Sequence, residues 1–96
     1  MNSVLLTQQA AEWIDALEDV VAKARVLTRI EQAKGGNFGD CEPVGEGVSE
    51  MRIHYGPGYR LYFTRVGQVV YVVLCGGTKG TQRADIRRAK KIAKEL

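Results

Sequence analysis

Three successive strand-like runs, joined by short glycine-containing turns, constrain the fold of this chain more than any other feature. The three runs are Ser49–Tyr55, Tyr59–Arg65 and Val69–Cys75. Each has the length of a β-strand and is rich in the branched and aromatic residues that strands favour. Gly56-Pro57-Gly58 and Val66-Gly67-Gln68 are short enough to form hairpin turns. The pattern therefore predicts an antiparallel meander that ends at Gly76-Gly77.

Helical periodicity precedes the predicted meander. An apolar stripe recurs at i, i+3, i+4 and i+7, and it consists of Ala10, Trp13, Ile14 and Leu17. This spacing places the stripe on one face of a helix that Thr7 is positioned to cap. A second helix is predicted from Ala22 to Ala33 and is ended by the glycines of Lys34–Asn37. The corner at Asp19-Val20-Val21 makes the two helices an antiparallel hairpin.

The remaining segments complete an α+β interpretation. Met1–Leu6 is predicted to be an edge strand, and residues 37–47, which are spaced by glycines, are predicted to be irregular. Thr81–Leu96 is predicted to be a terminal helix with its basic residues opposite an apolar face of Ile86, Ala89, Ala93 and Leu96. The expected fold is a helical hairpin packed on a curved antiparallel sheet, followed by a C-terminal helix.

Length and composition exclude several classes of protein. A chain of 96 residues, 45% hydrophobic and 26% charged, has the makeup of one small globular domain spanning residues 1–96. Its apolar runs are far shorter than the roughly 20 residues of a membrane helix, and no signal peptide opens it, so a cytoplasmic protein is expected. Cys41, Cys75 and one histidine do not supply the four ligands of a zinc site, and no cofactor is expected. Both cysteines are expected to be reduced, with Cys75 buried in a strand.

The charge is distributed unevenly along the chain. Residues 1–32 carry a net charge of −2, whereas residues 79–96 contain seven basic residues against two acidic ones, a net charge of +5. This asymmetry indicates an anionic partner. A solvated helix face rich in lysine and arginine is the alternative interpretation.

Strand alternation gathers the polar chemistry on one face of the sheet. Met51, Ile53, Leu61 and Phe63 form the buried set, which leaves a polar set on the opposite face. The polar set consists of Glu50, Arg52, His54, Arg60, Tyr62 and Thr64. Gly76-Gly77-Thr78-Lys79 brings an ammonium group to the rim, although it lacks the order of a phosphate-binding P-loop.

These residue types suit the binding and cleavage of single-stranded RNA. Guanidinium groups grip phosphate, and the tyrosine ring is a surface on which a base stacks. A histidine is able to take or give a proton near neutral pH. The alternatives are a simple charge pair between Glu50 and one of the arginines, a surface role for His54, and a covering role for Tyr62.

Several sequence blocks, taken in order, resemble the HigB-like addiction module killer proteins of the RelE/ParE toxin superfamily. The blocks are Asn37-Phe38-Gly39-Asp40, Val44–Arg52, Gly56–Arg60, Gly76–Lys79 and Gln82–Ala89. With the Trp13 helix they cover nearly the whole chain. The resemblance implies the toxin of a bacterial type II toxin–antitoxin pair with a RelE/ParE-like fold. It also implies metal-independent, ribosome-dependent cleavage of mRNA. The implied partners are the message, the ribosome and a cognate antitoxin, often a helix-turn-helix DNA-binding protein, in a hetero-oligomer.

The resemblance also assigns roles to individual residues. Arg52, Arg60 and Lys79 are the implied phosphate-holding cations, with His54 as a candidate for proton transfer. Further contacts with RNA are expected from Tyr62, Arg83, Arg87 and Lys90. Many active relatives bring a tyrosine or histidine from the C-terminal end, and residues 78–96 contain neither. Two other functions therefore stay open: a non-enzymatic, ParE-like inhibitor of DNA gyrase, and a module that only binds its antitoxin.

Overall fold

The computed structural model describes all residues from Met1 to Leu96, and it confirms the α+β fold. The strands are β1 (Ser3–Leu6), β2 (Cys41–Gly45), β3 (Val48–Ile53), β4 (Tyr59–Arg65) and β5 (Val70–Thr78). The helices are α1 (Gln8–Asp15), α2 (Val20–Lys34) and α3 (Gln82–Lys94), with a 3-10 turn at Lys79–Thr81 before α3. The five strands form one sheet in the order β1-β5-β4-β3-β2. Every neighbouring pair is antiparallel except β1 and β5, which are parallel.

Each helix of the predicted hairpin begins at a residue whose side chain caps it. Thr7 accepts a hydrogen bond from the backbone N–H of Ala10, and its hydroxyl donates to the carbonyl of Leu74 in β5. The carboxylate of Asp19 accepts from the N–H groups of Val21 and Ala22 at the start of α2. Satisfying the free N–H groups of a first turn stabilises each helix start by about 1 kcal/mol.

The sheet is covered on both faces, which separates the core into two clusters. On one face α1 and α2 cover the predicted buried set of Met51, Ile53, Leu61 and Phe63. On the other face Ala89 and Ile92 of α3 pack on Tyr62, Leu74 and neighbouring strand residues. Three members of the predicted polar set, Glu50, Arg60 and Tyr62, are therefore buried on this face rather than open to solvent.

Two strands differ from the sequence-based prediction. Residues 41–45 form β2 rather than irregular structure, paired with β3 through a register shift between Pro43 and Gly45. A proline without an N–H is tolerated there because β2 is an edge strand. The meander also continues through Gly76 and Gly77 to Thr78. The two glycines are needed because a Cβ at Gly76 would collide with the Trp13 ring and one at Gly77 with the Asp85 carboxylate.

Neither cysteine is in a disulfide, and Cys75 is buried in β5 as predicted. Burial raises the pKa of its thiol. None of the helices is long and apolar enough to cross a membrane.

Candidate functional site

The four predicted catalytic residues lie at one end of the sheet. Arg52 of β3 pairs with Arg60 of β4, and Arg60 pairs in turn with Gly77 of β5. Side chains of paired residues point to the same face, so both guanidinium groups lie on the face of the sheet that α3 covers. Tyr59, which precedes Arg60 in β4, pairs with Ile53 of β3 on one side and with Thr78 of β5 on the other.

His54 follows Ile53 directly and Lys79 follows Thr78 directly, so both residues lie at this same end of the sheet. Two interstrand spacings, about 10 Å, separate the strands that carry them. The backbone N–H of Lys79 donates to the carbonyl of Gly58, which ties the end of β5 to the β3–β4 turn. The register therefore places the backbones of Arg52, His54, Arg60 and Lys79 at one end of the sheet. His54 lines a cleft against α2 together with Ile53 and Arg25, whereas Arg60 lies on the α3 face.

Arg60 is the most unusual group of this end of the sheet. Only 7% of the residue is exposed, its Nε is buried without a hydrogen-bond partner, and no carboxylate lies within 4.0 Å of its guanidinium. The carboxylate of Asp85 packs on Gly77 nearby, but it is taken up by Thr81 and by Arg88 at 2.9 Å. A buried cation without a partner is costly, and an anion that binds it removes much of that cost.

Arg52, in contrast, is surrounded by carboxylates. Its guanidinium lies 2.9 Å from Glu42, 3.7 Å from Glu50 and 3.8 Å from Asp40. The hydrogen bond to Glu42 and the nearby negative charges raise the pKa of Arg52. An incoming phosphate must compete with these groups, so Arg52 is a weaker anion site than the sequence indicates.

His54 is 72% exposed, and its Nε2 lies 2.5 Å from Oδ2 of Asp40. The hydrogen bond with His54 lowers the pKa of the Asp40 carboxyl, with smaller contributions from Arg52 and Arg29. Sequence reasoning gave Asp40 no role, although it belongs to the quoted Asn37-Phe38-Gly39-Asp40 block. The block was a usable signal, but its proximity to His54 depends on the β2–β3 pairing, which the sequence did not predict.

Tyr62 lies where no RNA base reaches it. The residue is fully buried under α3, and its hydroxyl donates to Glu50 at 3.2 Å. Burial, followed by the neighbouring charge of Glu50, raises the pKa of the phenol. The proposed stacking role of Tyr62 was therefore wrong, since the sequence does not reveal that α3 covers this part of the sheet.

The three predicted RNA contacts of α3 have different surroundings. Arg83 and Arg87 are exposed one helical turn apart, and neither forms an ion pair. Lys90 is held by Glu46 of the β2–β3 turn at 3.5 Å, together with Lys94 at 3.1 Å. Lys79 is exposed and unpaired, four residues before Arg83. We call Arg60, Lys79, Arg83 and Arg87 the free cations, because each lacks an acidic partner.

Comparison with known proteins adds a family to this geometry. The model of the family described as phage derived protein Gp49-like (DUF891) matches residues 12–96. A protein of Haemophilus influenzae, described as an uncharacterized protein, is 44% identical over 84 residues, which cover 88% of this chain and 85% of that protein. The match includes both arginines of the Arg52–Arg60 pair and all of α3. The chain therefore belongs to the Gp49-like phage-derived family, a family of toxin–antitoxin type toxins of the general RelE/HigB kind.

Proposed function

We propose that this protein is a HigB-like toxin of a type II toxin–antitoxin system that cleaves mRNA on the ribosome without a metal ion. The observation that carries the proposal is the buried Arg60 side chain, whose Nε has no hydrogen-bond partner and whose guanidinium has no carboxylate within 4.0 Å. Phosphate matches a guanidinium in charge and in hydrogen-bond geometry. Of the other free cations, Lys79 lies directly before α3 and Arg83 and Arg87 lie on it, which offers positive groups to further phosphates of one RNA strand.

The proposed reaction uses the 2′-hydroxyl of the RNA as the nucleophile. His54 takes the hydroxyl proton, the 2′-oxygen forms a bond to the adjacent phosphorus, and the bond from phosphorus to the 5′-oxygen breaks. The ammonium of Lys79 gives a proton to the departing 5′-oxygen. Arg60 binds the phosphoryl oxygens, where negative charge builds up in the transition state. The products are a 2′,3′-cyclic phosphate and a 5′-hydroxyl end.

The proposed partners follow from the same surface. The translating ribosome supplies the message, and a cognate antitoxin silences the protein by covering its cationic end. A partner segment with acidic side chains complements the free cations and competes with RNA for Arg60. We expect the toxin and the product of an adjacent reading frame to copurify as a hetero-oligomer.

Purified protein and translating ribosomes test the activity. The wild type is expected to release fragments with 2′,3′-cyclic phosphate ends, whereas Arg60→Met is expected to lose at least about 100-fold in rate, as does removal of one preorganised donor to a developing oxyanion. Arg65→Met is the matched control, since Arg65 lies at the exposed far end of β4 and only holds the carbonyls of the following turn. Equal cleavage by Arg60→Met and the wild type would contradict the proposal.

A gyrase inhibitor of the ParE type is the second candidate. It is favoured by the carboxylates around Arg52, which occupy a guanidinium that RNA cleavage was predicted to use for binding phosphate. Intact transcripts together with impaired DNA supercoiling after induction would select this function over RNA cleavage.

A further inference from the structure

The Asn37-Phe38-Gly39-Asp40 segment is built to hold one side chain in place. Oδ1 of Asn37 accepts a hydrogen bond from the N–H of Gly39, which closes a tight turn. Gly39 has a φ of +63°, and a Cβ there would press on the Arg29 guanidinium. The Phe38 ring stacks on Phe63 with 5.3 Å between ring centroids. The turn is therefore fixed at its polar and its apolar side.

Hydrogen bonds from Arg29 of α2 and from β3 fix the backbone of this turn. The Arg29 guanidinium donates to the carbonyls of Phe38, at 2.9 Å, and Asp40, at 3.3 Å, and also to the carbonyl of Arg52. The N–H of Arg52 donates to the carbonyl of Asp40 at 2.9 Å. These bonds tie the residue before β2 to β3, which carries His54 immediately after its last residue. These contacts fix the backbone of Asp40, from which the carboxylate reaches the imidazole of His54.

The chemistry of the pair settles which ring nitrogen holds the proton. An ionised carboxylate only accepts hydrogen bonds, and the hydrogen bond from His54 keeps the Asp40 carboxyl ionised to lower pH than usual. Nε2 of His54 is therefore the donor, and in the neutral ring Nδ1 is the nitrogen with the free electron pair. Nδ1 has no hydrogen-bond partner in the protein. Arg52 is the other charged group close to Asp40, and Arg29 lies beneath the turn.

From this geometry we infer that Asp40 is the positioning residue of His54, and that the Asn37–Asp40 turn exists to present it. The inference rests on the proposed function, because it assigns the proton transfer from the 2′-hydroxyl to Nδ1 of His54. Asp40 does not touch the RNA. It holds the ring orientation and the tautomer, and it balances the positive charge that the imidazole gains when it takes the proton.

A double-mutant cycle in the ribosome-dependent cleavage assay tests the inference. His54→Gln is expected to slow cleavage by about 100-fold, at the lower end of what a positioned general base contributes. Asp40→Asn is expected to slow it by about 10-fold in the wild-type background and to have no further effect in the His54→Gln background, because the two residues act as one unit. An equal loss in both backgrounds would show that Asp40 acts independently of His54 and would overturn the inference.

A second readout does not depend on activity. His54 is the only histidine of the chain, so ring-nitrogen NMR spectra contain the signals of one imidazole. At a pH above the ordinary titration range of histidine, the wild type is expected to carry the ring proton on Nε2 in nearly all molecules. Asp40→Ala is expected to restore the mixture of tautomers of a free imidazole. Identical tautomer populations in the two proteins would overturn the inference.

Glu42→Gln is the matched control for the NMR measurement. Glu42 is an exposed carboxylate of β2 that contacts Arg52 at 2.9 Å and makes no contact with His54, so its removal is expected to leave the ring signals unchanged.

The cleavage assay separates a failure of the positioning role of Asp40 from a failure of the proposed function. An active wild type with an inactive Arg60→Met and a fully active Asp40→Asn would overturn only this inference, whereas a wild type that cleaves no RNA would overturn the proposed function and the catalytic role of the pair with it.

Discussion

Replacing Arg60 by methionine is expected to stabilise the protein while abolishing its activity. The guanidinium is buried and its Nε has no hydrogen-bond partner, a state that costs about 1–3 kcal/mol for the unsatisfied donor. Methionine retains much of the apolar length of the side chain and removes both the charge and the donor. Exchanges of buried ions for apolar residues of similar volume are neutral or stabilising by about 1–4 kcal/mol. We therefore expect Arg60→Met to raise the free energy of unfolding by about 1–3 kcal/mol.

Thermal unfolding measures this effect directly. For a domain of this size each kcal/mol shifts the Tm by about 4–8 °C, so the expected increase is easily resolved. Inorganic phosphate is expected to raise the Tm of the wild type, because it binds the folded protein at Arg60, and to have less effect on Arg60→Met. Arg65→Met serves as the control and is expected to keep the phosphate response. A loss of more than about 1 kcal/mol in Arg60→Met, or an equal phosphate response in both proteins, would refute the interpretation of Arg60 as an anion site.

Three further substitutions test how the site is built. Gly77→Ala is expected to destabilise the fold by about 1–3 kcal/mol or more in urea unfolding, because the new Cβ collides with the carboxylate of Asp85, and an unchanged midpoint would contradict this packing. Tyr62→Phe is expected to cost about 1.5–3 kcal/mol, since the buried Glu50 carboxylate loses a hydrogen-bond donor, and a neutral effect would argue against that bond. Hydrogen bonds and charges from α3 lysines lower the pKa of Glu46, so its contribution to stability is present above its ordinary pKa of 4.5 and is lost as the pH falls through the lowered folded value. Acid titration of stability in Glu46→Gln is expected to lack this component, and an unchanged acid limb would contradict the assignment.

Alternation of residues predicted one side of the sheet well. Met51, Ile53, Leu61 and Phe63 all lie in the core beneath α1 and α2, because a period of two is a local property of a strand. The same alternation placed Arg52 and Arg60 on a shared face, and their direct pairing across β3 and β4 follows from the short turn between them.

The errors concern contacts between segments that are distant in the sequence. The alternation along β4 places Tyr62 on the side predicted to be polar, yet α3 packs over it. No local sequence pattern shows which part of a sheet a later helix covers. The carboxylates around Arg52 come partly from Asp40 and Glu42, which the β2 pairing brings close. Pro43 and the surrounding glycines are typical of a loop, so β2 was not predicted from the sequence. The free positive charge of Arg52 was therefore overestimated, and Asp40 was not recognised as the partner of His54.

Mapping of transcript ends after induction in cells shows whether the protein cleaves mRNA through Arg60. We expect new 5′-hydroxyl ends within translated messages when the wild type is expressed without its antitoxin, the same ends with Arg65→Met, and none with the stably folded Arg60→Met. Cleavage at the same positions by Arg60→Met, or growth arrest by the wild type with every message intact, would contradict this expectation.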